Sequence, residues 1–316
     1  MKHFKKVIVA FLSSAVLFTG CLNTEETAHV TEDTGILTSF YPIYMFTQEV
    51  VKDTSIKVTN MTNTQTGCLH DYQLTTDDMK NILDCKIFII NGSGMENSFI
   101  ANAMEQNPHI HIIDSGFGVH TLFNDGHLHK NDHEHGHSNN HDHDHDHDHD
   151  HNEINPHTWL STTNAKIQVM NIASELIRFY PEYSEILMKN ADDYCKFIDS
   201  SLVFTIENNN NLKAVSFHEG FAYLANDIGF TVEKSVTVEE SHLPSAKELE
   251  ELSVLCNSGK ISFIICADDE GKRYAELLAS ETGLPIVILD PFVSYGDYIQ
   301  IQAQNYENLK VVLSIG

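Results

Sequence analysis

Positive charge is what this sequence has least of. Nineteen lysines and arginines stand against 45 aspartates and glutamates, a formal net charge of −26 with histidine neutral. So acidic a chain repels nucleic acid and anionic membrane surfaces, which excludes both as partners. Beyond the first twenty residues there is no apolar run long enough to span a bilayer. Two common site signatures are also missing. Gly92-Ser93-Gly94 lacks a third glycine at dinucleotide-fingerprint spacing, and after His218-Glu219 the second histidine of an HExxH helix is replaced by Ala222. Cysteine is sparse, with six in the chain. Cys256 ends a predicted helix and Cys266 ends the strand after it, at opposite ends of a strand about 17 Å long, which is beyond disulfide reach. Cys68 and Cys85 flank a helix in the same opposed way. With Cys195, these are expected to be free thiols.

What is present begins with a targeting segment. Lys2, Lys5 and Lys6 precede an apolar run from Val7 to Phe18, a length suited to a signal peptide and short for a membrane span. The run ends in Leu17-Phe18-Thr19-Gly20-Cys21, which resembles a bacterial lipobox, with Phe18 unusual at its position. Cys21 is therefore the expected lipidation site, and residues 22–34, polar and acidic, read as a tether. The mature protein is expected outside the cytoplasm, attached to the membrane only through its lipid.

Residues 120–151 are the loudest stretch. His120, His127, His129, His133, His135 and His137 lead into a strict His-Asp alternation through His141, His143, His145, His147, His149 and His151. Neither face of such an alternation is apolar, so it cannot be a core strand. Leu128 is the one large apolar residue between Asp125 and Glu153, too little to support a fold. The composition reads as a solvated, low-affinity metal-binding loop: neutral imidazole suits zinc, copper, nickel and iron.

The body, residues 35–316, alternates short apolar runs with amphipathic segments. Strands are expected over 35–40, 56–60, 86–90 and 109–113, with helices to about Val51, over Thr75 to Leu83 and over Met95 to Glu105. Thr75 or Thr76 caps the second helix ahead of Asp77 and Asp78. An amphipathic helix follows over 163–179, and Pro181 opens a long one running to about Glu207. Strands over 213–217, 261–266 and 285–289 then alternate with helices over 219–227, 244–256, 270–282 and 297–313. This is α/β: two Rossmann-like lobes, each a parallel sheet with flanking helices. An N-terminal lobe (35–180), a linking helix (181–210) and a C-terminal lobe (211–316) are the expected divisions.

Outside the loop, His70, His218 and Asp290 each follow a predicted strand, and His157 precedes a helix. Open α/β sheets bind ligands beyond the carboxyl ends of their strands. Two candidates come from each lobe, so a site of His70, His157, His218 and Asp290 belongs in the cleft between them. Three imidazoles and a carboxylate satisfy tetrahedral zinc and leave no position for an activated water, which argues for holding metal over hydrolysis. Singly, each has a simpler explanation: a hydrogen-bonded loop histidine, or a turn aspartate before Pro291. His242 reads as surface, and Cys68 is set aside as an oxidation hazard.

At these residues the sequence resembles the solute-binding lipoproteins of zinc and manganese ABC importers. The matching stretches are residues 67–74, Asn91-Gly92-Ser93-Gly94-Met95-Glu96, Asn155-Pro156-His157-Thr158-Trp159-Leu160, Ser216-Phe217-His218-Glu219-Gly220-Phe221, residues 244–249 and Leu289-Asp290-Pro291. Their order and spacing cover the mature chain. The resemblance implies two lobes joined by a rigid helix, a metal held by His70, His157, His218 and Asp290, and a membrane permease with a cytoplasmic ATPase as partners. Manganese members tend to have a carboxylate where His218 stands, so Zn(II) is the expected cargo, with the histidine loop gathering or sensing it. Cys68, Cys266, Leu74 and the Asp268-Asp269 pair depart from the family pattern. The chain is expected to be a monomer and no enzyme. A surface metal store or adhesin on the same fold is the alternative, ahead of a zinc hydrolase or a manganese receptor.

Overall fold

The computed structural model describes residues 35–62, 69, 72–123, 154–204, 212–238, 243–267, 270–292 and 296–313. Cys21, Cys68, His70, His127 through His151, His242, Asp268 and Asp269 lie outside them. The first sheet is built from β1 (Ile36–Thr38), followed by helix α1 (Tyr41–Val50), β2 (Val58–Asn60), α2 (Thr76–Asp84), β3 (Ile87–Ile90), α3 (Ile100–Gln106) and β4 (His111–Asp114). Its order is β2-β1-β3-β4, all parallel. β1 and β3 are buried along their whole length, as strands covered by helices on both faces must be.

A two-stranded antiparallel pair follows, β5 (Leu122–Phe123) with β6 (Ile154–Asn155). Residues 124–153 leave and return through it. Then come a 3-10 turn (Thr158–Leu160) and two 18-residue helices, α4 (Thr162–Phe179) and α5 (Ser184–Ser201). The second lobe runs β7 (Lys213–Ser216), α6 (Phe221–Ile228), β8 (Thr231–Ser235), α7 (Ala246–Asn257), β9 (Phe263–Cys266), α8 (Glu270–Thr282), β10 (Ile286–Ile288) and α9 (Tyr298–Leu313). Its sheet, β10-β9-β7-β8, is again all parallel. Read from the second strand of each lobe, both sheets have the order 2-1-3-4. Each therefore has one point where the connections reverse direction, between β1 and β3 and between β7 and β9.

The period of two along a strand divides the core. In β7 and β9, Ala214, Phe263 and Ile265 join the larger cluster, while Val215, Ile264 and Cys266 join a second one on the opposite face of the sheet. The larger cluster runs without interruption from Ile36 and Phe46 of the first lobe, through Val169 and Leu187 of α4 and α5, to Phe221 and Tyr298 of the second. One core thus serves both lobes. Among the described residues no helix is long and apolar enough to cross a membrane. Among the described residues, Cys85, Cys195, Cys256 and Cys266 form no disulfide.

Four expectations of local structure are corrected. The helix expected from Met95 starts at Ile100. Residues 93–99 form successive turns instead, because Gly92, Ser93 and Gly94 all have positive φ and Glu96 is turned inward onto Ser39. The helix expected from Pro181 to Glu207 opens as a 3-10 turn over Pro181–Tyr183 and ends at Ser201; Leu187, Ala191, Tyr194 and Ile198 complete its buried stripe. β8 was not expected: it is an edge strand, and Glu233 and Lys234 interrupt its apolar pattern. The β5–β6 pair was not expected either, two residues a side being too few to show a period.

Candidate metal centre

His157 and His218 meet. Their rings are 4.8 Å apart between centroids and inclined at 70°, although 61 positions separate them in sequence. His157 is 1% exposed and His218 8%. Each is carried by a segment without regular structure, His157 just after β6 and His218 just beyond β7. These are places where a backbone bends sharply enough to turn two imidazoles inward.

The His157 segment is held from both lobes. On the first-lobe side Asn91, fully buried at the end of β3, donates from Nδ2 to the Pro156 carbonyl (2.9 Å) and accepts the Thr158 hydroxyl at Oδ1 (3.1 Å). On the second-lobe side the Asn155 amide donates to the Glu219 carbonyl (2.9 Å), the Trp159 indole N–H to the Pro291 carbonyl (3.4 Å), and the Tyr298 hydroxyl to the Trp159 carbonyl (3.0 Å). Trp159 also lies 5.1 Å from the His157 ring and edge-on to Phe40 at 4.8 Å. A buried segment with its polar groups paired in this way is costly to displace.

Asp290 follows β10 and is partly exposed. Its backbone is fixed from both sides by Asn305, which accepts from Asp290 N (2.7 Å) and donates to Asp290 O (2.8 Å). Its Oδ1 accepts the Phe292 N–H (2.7 Å), closing an Asx turn around Pro291. The next residue is the one the Trp159 indole reaches, which carries Asp290 to the His157 segment. Among the described residues no three His, Cys, Asp or Glu side chains converge at metal-holding distance. His70 is not among the described residues; Leu69, just before it, is buried and its N–H points at the Met95 sulfur (3.3 Å).

Three groups around the rings were not singled out as site residues from the sequence. Glu219 brings Oε1 to 3.8 Å from His157 Nδ1, and its other oxygen accepts the Thr237 hydroxyl. That places a carboxylate beside the His157 ring, where it favours positive charge nearby. Gly220 donates its N–H to His218 Nδ1 (3.1 Å). Glu96, beneath Asn91, is 2% exposed and accepts from Ser39 Oγ, Asn91 N and Gly92 N. Burial pushes its carboxyl up to about 7 against these hydrogen bonds, which act to lower it. Asn91, Glu96, Glu219 and Gly220 all lie in the motif stretches, so the signal was present. The sequence had no means of separating a ligand from a residue that orients one.

Comparison with known proteins decides the family. The family described as zinc-uptake complex component A, periplasmic, matches residues 36–312. This chain belongs to it. The zinc-binding protein AdcA of Streptococcus pyogenes serotype M3 is 25% identical over 325 residues, covering 98% of this chain and 62% of AdcA. The chain thus spans about 62% of the length of that relative. The high-affinity zinc uptake system protein ZnuA of Bacillus subtilis is 26% identical over 289 residues, 87% of this chain and 86% of that protein. Among solved structures, the FpvC solute-binding protein of Pseudomonas aeruginosa, in complex with Ni²⁺, superposes with a TM-score of 0.71 at 21% identity, covering 89% of this chain and 97% of that one. The two-lobed parallel α/β architecture of this chain is thus the one that this solved structure shares.

Proposed function

We propose that this protein is an extracytoplasmic receptor that captures Zn(II) with His70, His157, His218 and Asp290 and hands it to an ABC permease driven by a cytoplasmic ATPase. The observation that carries this reading is the pair of buried imidazoles 4.8 Å apart, held by segments from both lobes. Burying two imidazoles against each other brings little packing benefit, whereas a metal between them joins both rings. Three imidazoles and one carboxylate complete a tetrahedral set suited to zinc, and imidazole is a poor match for manganese. Asp290, fixed by Asn305 and its own Asx turn, supplies the hard, anionic ligand.

In this reading the chain is anchored through a lipid on Cys21, and the histidines of residues 120–151 gather zinc at weaker sites. Because that stretch is joined to the body through β5 and β6, transfer is intramolecular, which raises the zinc concentration the site meets without any new contact. Excising residues 124–153 should slow zinc uptake only when zinc is scarce. An uptake curve unchanged at every zinc concentration would remove the gathering role and leave the proposed site standing.

A further inference from the structure

Asn155 sits where the histidine-rich stretch rejoins the body, and it touches both segments that carry the clustered imidazoles. It is fully buried. In β6 it lies opposite Leu122 of β5. Its Oδ1 lies 2.9 Å from His157 Nδ1 and accepts the His157 backbone N–H at 3.1 Å. Its Nδ2 donates to the carbonyl of Glu219, next to His218, at 2.9 Å. Its own carbonyl accepts the Tyr223 hydroxyl (2.6 Å), and that oxygen accepts the Leu122 N–H (3.0 Å).

The orientation of this amide is fixed by groups that cannot change role. The His157 backbone N–H only donates, so the atom facing it is the amide oxygen; the Glu219 carbonyl only accepts, so the atom facing it is the amide nitrogen. That same oxygen faces His157 Nδ1, so Nδ1 must carry the ring proton, since otherwise two lone pairs would oppose each other at 2.9 Å. In the neutral ring the lone pair is then on Nε2. Glu219 Oε1, at 3.8 Å from Nδ1, is too far to compete.

We propose that Asn155 is a positioning residue. It sets the tautomer of His157 so that Nε2 is the nitrogen offered to metal, and it spaces the His157 and His218 segments. Tyr223 clamps it to the root from which residues 124–153 depart. This rests on the reading above that His157 and His218 take zinc.

The test uses the mature full-length chain as wild type, Asn155→Leu, Asn155→Asp, Tyr223→Phe and His157→Ala. Long-range proton–nitrogen correlation spectra of the metal-free protein report which nitrogen of His157 is protonated, and competition with a chelator reports zinc affinity. Wild type should show Nδ1–H. Asn155→Leu should lose that preference and bind zinc roughly 10- to 100-fold more weakly, the usual cost of removing an outer-shell partner. Asn155→Asp keeps an acceptor for Nδ1–H but no donor for Glu219, so it should keep the tautomer and fall between the two in affinity. Tyr223→Phe should keep the tautomer with a smaller loss of affinity; wild-type affinity there would remove the clamp. If Asn155→Leu does not fold, the isosteric Asn155→Asp decides: its His157 proton on Nε2 overturns the proposal. Wild-type tautomer and affinity in Asn155→Leu overturn it too, provided His157→Ala abolishes tight binding. Tight binding that survives His157→Ala instead overturns the ligand assignment.

Discussion

A Cβ on Gly220 would lie 2.6 Å from Leu160 Cδ1 and 2.8 Å from both Cβ and Cγ of His157. Its φ of −59° suits any residue, so glycine is required there for space alone. Gly220→Ala should cost about 1–3 kcal/mol of overpacking, most of it falling on the His157 ring. The expected outcome is a folded protein that binds zinc roughly 5- to 100-fold more weakly, one decade per about 1.4 kcal/mol, measured by chelator competition; unchanged affinity would show that the ring relaxes freely. Glu96 gives a pH dependence. Its folded-state value of about 7 lies above the ordinary 4.5, so between those pH values the folded chain holds a proton that the unfolded chain has released. Stability should therefore fall as pH rises from about 5 to 7 and level off above. Melting temperatures of wild type against Glu96→Gln, across that range and without metal, should fall more steeply with pH in the first than in the second. At this scale the sequence singled out His157, before a helix, and His218, after a strand, as candidates, and the structure brings these two rings together. The sequence did not reveal how Asn155, Gly220 and Glu96 act. Their roles depend on which backbone groups fold past them, and an asparagine or glycine looks the same whatever it faces.

Among the elements, α4 matters most to the site, because it starts one residue after the turn that follows His157. Its N-terminus is held by Ser161, whose Oγ accepts from Asn164 N (3.2 Å), and by Asp227 of α6, which accepts Ser161 Oγ (2.9 Å), Thr162 N (2.6 Å) and Thr162 Oγ1 (2.9 Å). The cap is thus supplied partly from the other lobe. Asp227→Ala would take the acceptor from one partly buried N–H and two hydroxyls, and should destabilise the chain by about 1–3 kcal/mol, read as a lower urea midpoint. Ser245→Ala, in the exposed capping box of α7, should cost only about 1 kcal/mol. Equal effects would mean that the Asp227 cap carries nothing beyond a local turn. Helices with a cap and a 3.6-residue stripe were legible, as with Thr75 ahead of α2. Less legible were elements whose pattern is masked or too short: β8 with its edge charges, the two-residue β5 and β6, and the turns after Gly92, where an inward carboxylate delays α3.

The molecule repeats one topology twice, and the repeats share a core. Phe40 packs edge-on to Trp159, Phe46 to Tyr298, and the Tyr41 hydroxyl reaches the Gly296 carbonyl. Opening the lobes would expose these aromatic surfaces at roughly 25 cal/mol per Å². Zinc is therefore expected to leave the radius of gyration in solution unchanged; a clear contraction on adding zinc would mean that the lobes hinge. Phe123 and Ile154 are directly opposed across the β5–β6 pair, so an Asn-Gly turn in place of residues 124–153 should close the hairpin and leave the body folded. That shortened body allows the most direct test of the proposed cleft site, a zinc titration against a strong chelator. One tight site per chain is expected, lost in His157→Ala and in His218→Ala. No tight site in the shortened body, or one that survives both substitutions, would contradict it and move the metal chemistry to the histidine-rich stretch.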